Sequence, residues 1–345
     1  MTIKVIQVGL GGMGNAWLAA VQASEDVEFA GFVEINDSIA AEQVKAYGLD
    51  GNRVYKTPGQ ALAAVQADGI INVTPPQFHR EVSITAMEAG VPVLSEKPLA
   101  GTLEDSHAIV EKANETGVLH MVTQNYRYTA LAQTVKSVLD SGAMGAVGSV
   151  NVHFAKGPHF GGFREEMPHP LIIDMSIHHF DMMRFFVNSN PARIFAHSWN
   201  PPWSWYQGDA SATVHTTFEN GVPVTYNGSW CARGMETTWN ANWRFECELG
   251  ILTIEDDAVY KQRYTGVEGR PGYRHVSNAK KEAVPMVSMV REGQDYLLHE
   301  FYQAVTSGSV PATTAQDNIH TIRFVFDIVK ACDTGQIITT GELNR

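Results

Sequence analysis

The chain has 345 residues, of which 44% are hydrophobic and 18% charged. At about 150 residues per domain that length points to two domains, and the composition excludes disorder and collagen-like repeats. Lys plus Arg number 25 against 37 Asp plus Glu, for a formal net charge of −12. Such a chain has no general electrostatic pull toward nucleic acid or an anionic membrane, and neither partner is expected.

Three cysteines, Cys231, Cys247 and Cys332, are odd in number and lie outside any CxxC spacing. Neither a disulfide framework nor a structural zinc site is expected, and reduced thiols point to the cytoplasm. No apolar run is long enough to span a membrane. The uncharged stretch from Val5 to Ser24 is interrupted by Gly9, Gly11, Gly12 and Gly14. It reads as strand, glycine turn and helix rather than as a secretory segment.

In chain order, strands are predicted at Ile3–Val8, Val27–Val33, Gly69–Val73, Val91–Ser95 and Leu119–Thr123. Helical patterns lie between them at Ser38–Tyr47, Phe78–Ala89 and Leu103–Glu115. Nearly continuous apolar strands separated by helices indicate a parallel sheet covered on both faces, the doubly wound α/β pattern. The rhythm changes near residue 124, which divides the chain into domains of 1–123 and 124–345. A helix is predicted at Ala130–Ser141, a strand at Ala146–Ala155 and a helix at Ile172–Phe186. From Ile194 to about Arg263 come Thr-, Val-, Trp- and Phe-rich strands with Asn-Gly pairs at Asn220–Gly221 and Asn227–Gly228. Those pairs predict hairpin turns, hence a largely antiparallel sheet. Helices return at Tyr296–Ser307 and Ala315–Cys332.

Gly9-Leu10-Gly11-Gly12-Met13-Gly14 fits GxGxxG, follows a predicted strand and opens a predicted helix. Its glycines let the backbone turn tightly against a pyrophosphate, which the helix N-terminus stabilises. Glu34 lies 20 residues after Gly14, at the end of the second strand. A carboxylate there accepts hydrogen bonds from the adenosine ribose and repels a 2′-phosphate, so NAD is expected rather than NADP. Glu96-Lys97-Pro98 follows the fifth strand, whose carboxyl end opens toward the ligand crevice of such sheets. Asp174, His178 and Asp181 are spaced by four and three on a predicted helix and share a face. A carboxylate four residues from a histidine orients an imidazole for general acid–base work. His169, Asp174, His178 and His179 match no HExxH-like metal spacing, and no metal is expected.

Together these residues resemble the glucose–fructose oxidoreductase / inositol dehydrogenase / rhizopine catabolism family (Gfo/Idh/MocA). The resemblance rests on Gly9–Gly14, Thr74-Pro75-Pro76 with His79, Glu96-Lys97-Pro98, Gln124-Asn125-Tyr126-Arg127 and Asp174-x-x-x-His178-x-x-Asp181, and covers residues 1 to about 190. It implies an N-terminal Rossmann dinucleotide-binding domain and a C-terminal α/β domain on an open, largely antiparallel sheet, assembled as a homodimer or homotetramer. It implies Lys97, Asp174 and His178 as the catalytic set. The implied cofactor contacts are Gly9, Gly11, Gly12, Met13, Gly14, Glu34, Thr74, His79, Glu96, Lys97 and Gln124. Where family members often carry glycines, this chain has Met167-Pro168-His169-Pro170-Leu171 and Ser176.

The expected activity is NAD-dependent oxidation of a secondary alcohol on a sugar, cyclitol or related polyol. The resemblance also admits a glycosidase-type enzyme working by transient oxidation and elimination, and a non-catalytic NAD(P)-binding regulator. An intact Lys97, Asp174 and His178 argues against the regulator. Asn125 and Arg127, with His159 and Arg164 from the glycine-containing segment Lys156–Arg164, are candidate substrate contacts. That segment reads either as a lid or as a plain surface loop. Six of the seven tryptophans lie between Trp199 and Trp243. Such aromatics suit stacking on sugar faces or, equally, a core or subunit interface.

Overall fold

The computed structural model describes residues 2–340. It divides into two compact units, 1–128 with 290–322, and 129–289 with 323–345. The first unit therefore takes in a segment from near the end of the chain, which no periodicity in the sequence announces.

The first unit is built on strands β1 (Ile3–Val8), β2 (Val27–Val33), β3 (Val54–Tyr55), β4 (Gly69–Asn72), β5 (Val93–Ser95) and β6 (His120–Val122). All neighbouring pairs are parallel, in the order β3-β2-β1-β4-β5-β6. This is the Rossmann order, in which ligands bind beyond the carboxyl ends of the strands where the order reverses. Helices α1 (Gly14–Ala23), α2 (Asp37–Tyr47), α3 (Pro58–Ala64), α4 (His79–Glu88) and α5 (Leu103–Thr116) connect them. Local chemistry fixes their ends. Asn36, Thr57 and Thr102 each accept hydrogen bonds from first-turn N–H groups, satisfying donors a helix start leaves open. Gly48 and Gly117 end α2 and α5 in the left-handed conformation. Val5, Trp17, Ile71, Leu94 and Met121 share a core with Leu297, Leu298 and Phe301 of a later helix.

The second unit opens with α6 (Ala130–Asp140), β7 (Val147–Ala155), the single turn α7 (Phe163–Glu166) and α8 (Ser176–Val187). Strands β8 (Pro191–Trp199), β9 (Ser211–Phe218), β10 (Pro223–Ser229), β11 (Asn242–Cys247), β12 (Gly250–Glu255), β13 (Ala258–Arg270), β14 (Tyr273–Asn278) and β15 (Glu282–Ala283) follow. Then come α9 (Gly293–Ser307) of the first unit, α10 (Ala315–Thr334), which runs from one unit into the other, and β16 (Ile338–Thr339). Ten strands form one sheet, ordered β14-β13-β12-β11-β7-β10-β9-β8-β16 with β15 on β13. It is antiparallel except for β7 against β10, as the largely antiparallel expectation requires.

Asn220–Gly221 turns between β9 and β10 as predicted, but Asn227–Gly228 does not turn. Both residues lie inside β10, bonded to β7 on one side and β9 on the other. Glycine is needed at 228 because the Tyr226 ring lies over it, and a Cβ would stand 2.6 Å from that ring.

Helix α8 covers one face of this sheet. Phe180 meets Tyr226 edge-on at 5.3 Å, and Phe186 meets Trp243 and Phe245 at 5.4 and 5.5 Å. Each fully buried aromatic contributes about 1.5–3 kcal/mol relative to exposure. The opposite face of β8 leaves Phe195 and Trp199 exposed, with His197 stacked on Trp199.

Candidate functional sites in the two units

In the first unit, β1 delivers the chain into the glycine loop. Gly9 has φ +96°, and a Cβ there would lie 2.7 Å from the Val73 carbonyl oxygen. A Cβ on Gly14 would lie 2.7 Å from the Gly9 carbonyl oxygen, so neither position admits a side chain. Gly11 and Gly12 instead border open space, with nothing closer than 4.0 Å to their Cβ positions. Among the described residues the N–H groups of Gly11, Gly12 and Met13 have no hydrogen-bond partner, and no side chain caps α1. Open donors at a helix start, with no carboxylate in its first turn, are what a pyrophosphate needs. Gln7 braces the loop from below, its Nε2 donating to the carbonyls of Gly9 and Gly14.

Glu34 is buried at the end of β2. Its Oε2 accepts from the Leu10 N–H at 3.0 Å and its Oε1 from the Asn36 N–H at 2.9 Å. The carboxylate is thus fixed beside the loop, and each oxygen retains a lone pair for a ribose hydroxyl. Sequence reasoning missed Lys56, which lies next to this strand end in space. Its ammonium donates to the carbonyls of Glu34 and Ile35 and to Asp37, which takes up all three of its N–H groups.

Glu96 follows β5 and holds three donors: Trp17 Nε1 at 2.7 Å, Thr123 Oγ1 at 2.9 Å and the Lys97 N–H at 3.1 Å. This fixes the backbone at Lys97, whose N–H also faces Thr123 Oγ1 at 3.2 Å. His79 is fully buried, with Nδ1 2.8 Å from the Pro98 oxygen and Nε2 2.8 Å from the Thr74 oxygen. Burial holds its pKa below the usual histidine value, against the two carbonyls, which favour the cation. A neutral ring donates to one of these carbonyls only. His79 therefore ties the loop after β4 to the loop after β5 and presents no nitrogen to a ligand. Thr74 turns its hydroxyl onto Asn72 Oδ1 at 2.7 Å.

Gln124 is buried, yet neither its Oε1 nor its Nε2 has a partner among the described residues. A buried amide left this way costs about 1–3 kcal/mol, and a bound ligand or an ordered water would complete it. Asn125 is half-buried in the following turn. Arg127, expected as a substrate contact, is buried and pairs with Asp317 at 2.9 Å. Its charge serves the link between the β6 turn and α10.

In the second unit, residues Leu171–Met175 form a π-helical turn before α8, with the Ser176 N–H donating to the Leu171 oxygen. Asp174 therefore stands on a widened turn and His178 on the regular helix, a distinction the i, i+4 spacing did not reveal. Such insertions are rare and recur at functional sites. Asp174 Oδ2 accepts from Arg164 Nε at 2.6 Å. His178 is 9% exposed and His179 fully buried. His179 lies between Trp239, whose carbonyl is 2.9 Å from Nε2, and Tyr226, with Phe154 at 4.8 Å. Burial pushes its pKa down to about 4. Ser176 bonds the Tyr226 hydroxyl at 2.7 Å, anchoring the start of α8 to β10. Asp181 is buried near Arg184 at 3.8 Å and takes a structural place on the helix.

The segment before α7 is held at several points. Glu236 binds Lys156 Nζ and the Gly157 N–H, both at 2.8 Å, and Trp205 and Tyr206 both donate to the Pro158 carbonyl. His159 stacks on Trp205 at 3.7 Å. His169 bonds Asp333 and Ser198. Among the described residues no group of three or more His, Cys, Asp or Glu side chains is arranged to hold a metal ion. Nor is any helix among them long and apolar enough to cross a membrane. The tryptophans divide: Trp230 and Trp243 are core, whereas Trp199, Trp203 and Trp239 are exposed.

Residues 3–124 match the model of an oxidoreductase family with an NAD-binding Rossmann fold, and residues 132–253 match a GFO/IDH/MocA C-terminal domain. The chain is 31% identical to the uncharacterized protein y4oX of Sinorhizobium fredii, over 99% of this chain and 97% of that one. It is 24% identical to a 1,5-anhydro-D-fructose reductase of Ensifer adhaerens, over 88% and 90% of the two chains. The crystal structure of an oxidoreductase from Agrobacterium radiobacter, in complex with NAD+, L-tartaric acid and magnesium, superposes with TM-score 0.84 at 20% identity, covering 98% of each chain.

Proposed function

The chain belongs to the GFO/IDH/MocA oxidoreductase family, and from that premise we propose that it is an NAD-dependent dehydrogenase oxidising a secondary alcohol of a sugar, cyclitol or related polyol. The observation that carries the reading is the open glycine cradle beside a fixed Glu34 at the end of β2. The residues present fit a dinucleotide. Gly9, Gly11, Gly12, Met13 and Gly14 would hold the pyrophosphate, and Glu34 the adenosine ribose. Thr74, Lys97 and Gln124 would line the nicotinamide end, with His79 and Glu96 setting the loops there. Lys56, whose three N–H groups are engaged by Asp37 and two carbonyls, has no open donor for a 2′-phosphate, which favours NAD over NADP.

A nicotinamide cofactor held by these residues would supply the acceptor for the hydride of the carbinol carbon. Lys97 stabilises the negative charge that develops on the reacting oxygen. His178 takes the hydroxyl proton as general base. Asp174 orients His178 and balances the local positive charge. The sugar reductase among the relatives supports this substrate class. Among the described residues Cys231, Cys247 and Cys332 are free thiols, which supports a cytoplasmic setting. The exposed Phe195 and Trp199 on β8 support assembly as a homodimer or homotetramer through the second sheet.

The test is a screen of NAD reduction at 340 nm, a property of NADH, across inositols, aldoses, sugar acids and anhydrosugars. Net NADH formation with a free polyol is expected. Cleavage of an aryl glycoside without net NADH would instead assign oxidation–elimination chemistry.

A further inference from the structure

Arg164 stands out because it is half committed. Its Nε donates to Asp174 Oδ2 at 2.6 Å, and its side chain is 33% exposed. Its guanidinium lies 4.8 Å from the Phe163 ring centre and 5.4 Å from that of Phe160. Among the described residues neither terminal amino group of Arg164 has a hydrogen-bond partner. A guanidinium has five N–H donors, so one bond through Nε leaves the outer fork unused.

Arg–carboxylate pairs are frequently made through two parallel bonds. Here the pair takes the Nε side singly, and two aromatic rings limit the rotation of the guanidinium. Phe160 and Phe163 are 48% and 61% exposed, so the fork stands in a half-open apolar setting. Glu165, the adjacent carboxylate in the chain, turns to the Gly161 N–H at 2.9 Å. The fixed, planar fork that remains matches a planar or tetrahedral oxyanion.

We infer that Arg164 anchors an oxyanion carried by the substrate, so that the preferred substrate is a sugar acid or a sugar phosphate rather than a neutral polyol. The inference rests on the reading of Asp174 and His178 as the reaction centre, since Arg164 is joined to Asp174. Its two contacts divide the work: Nε holds Asp174, and the outer fork holds the substrate's charge. The half-buried setting matters, because an ion pair formed there is less screened than one in open water.

The experiment compares neutral hexoses, hexuronates, hexonates and hexose 6-phosphates of gluco, manno and galacto configuration. In the wild type, kcat/KM should be higher for an anionic member than for the neutral sugar of the same configuration. The carboxylate and phosphate arms identify which oxyanion is taken. Arg164→Gln should lower the anionic-to-neutral ratio of kcat/KM about 10- to 100-fold, the worth of hydrogen bonds to a charged group. The loss should fall mainly in KM. Arg164→Lys, which keeps charge without the fork, should recover part of it.

Taking the ratio cancels any effect through Asp174, which acts on both substrates alike. If Arg164→Gln lowers kcat equally for acids and neutral sugars and leaves the ratio unchanged, Arg164 only positions Asp174 and the inference is wrong. Wild-type preference for neutral sugars overturns it even if the variant fails to fold. Calorimetry of each compound with NADH-loaded wild type and Arg164→Gln separates this inference from the dehydrogenase reading. Arg164-dependent binding of an acid or phosphate without NAD reduction would sustain the anion site and defeat the dehydrogenase.

Discussion

Glu96→Gln is the most informative perturbation of the first unit, because one carboxylate there holds three donors. Trp17 Nε1 binds Oε1 at 2.7 Å, while Thr123 Oγ1 and the Lys97 N–H bind Oε2 at 2.9 and 3.1 Å. The amide of glutamine has the same shape but only one acceptor oxygen. Whichever way it turns, its NH2 group faces at least one buried donor. Hydrogen bonds to a charged group are worth about 1.5–3 kcal/mol, and a donor left buried without a partner costs about 1–3 kcal/mol. We therefore expect Glu96→Gln to destabilise the first unit by about 2–4 kcal/mol. Thr123→Val, close to isosteric, should cost about 1–2 kcal/mol by removing one donor. In the double variant the amide no longer faces the Thr123 hydroxyl, so the two losses should fall short of additivity by about 1 kcal/mol. Urea denaturation followed by circular dichroism gives all four stabilities. Glu96→Gln should also lower kcat, because the backbone of Lys97 is released. A Glu96→Gln protein within about 0.5 kcal/mol of wild type, with additive double-variant behaviour, would refute the assignment of Glu96 as the organiser of this loop.

Three further outcomes follow from the same geometry. Glu34→Ala removes the acceptor of the Leu10 N–H and the charge expected to repel a 2′-phosphate, so the preference for NAD over NADP should narrow about 10- to 100-fold in kcat/KM; an unchanged preference counts against the cofactor assignment. Burial pushes the pKa of His120 down to about 3 and that of His179 down to about 4. Unfolded histidine titrates near 6.5, so below that pH the unfolded chain binds more protons. Stability should be full above pH ~6.5 and fall as pH drops toward 4, by about 3 kcal/mol for each such histidine; urea unfolding at constant stability between pH 7 and 4.5 would contradict this. Light scattering at micromolar concentration should report a dimer or tetramer, and a clean monomer would refute the role given to Phe195 and Trp199.

Much of the first unit is legible in the sequence because its constraints are local. A GxGxxG loop between an apolar strand and a helix has one economical geometry, and steric contacts at Gly9 and Gly14 enforce it. What escaped is what depends on partners far along the chain. Strand β3 has two residues, too few for a periodic signal. The Arg127–Asp317 pair joins residues 190 positions apart. Asn227–Gly228 carries a hairpin signature, yet the glycine answers to the ring of Tyr226 within a central strand. In the second unit the i, i+4 spacing of Asp174 and His178 puts both on one predicted helical segment. The π-helical turn beneath Asp174 and the Arg164 contact ten residues upstream were not legible, since neither leaves a mark on hydrophobic periodicity.

The central claim, that Lys97 and His178 act on one reacting oxygen while the glycine cradle holds NAD, is tested most directly with Lys97→Ala, His178→Ala and the double variant. NADH binding is measured by fluorescence, and turnover with the best substrate from the screen. His178→Ala should lose about 10²–10⁴-fold in kcat and Lys97→Ala about 10²–10³-fold, with NADH still bound by each. The double variant should lose less than the product of the two, since both groups serve the same oxygen. Turnover that survives His178→Ala, or single losses that multiply in full, would contradict the account.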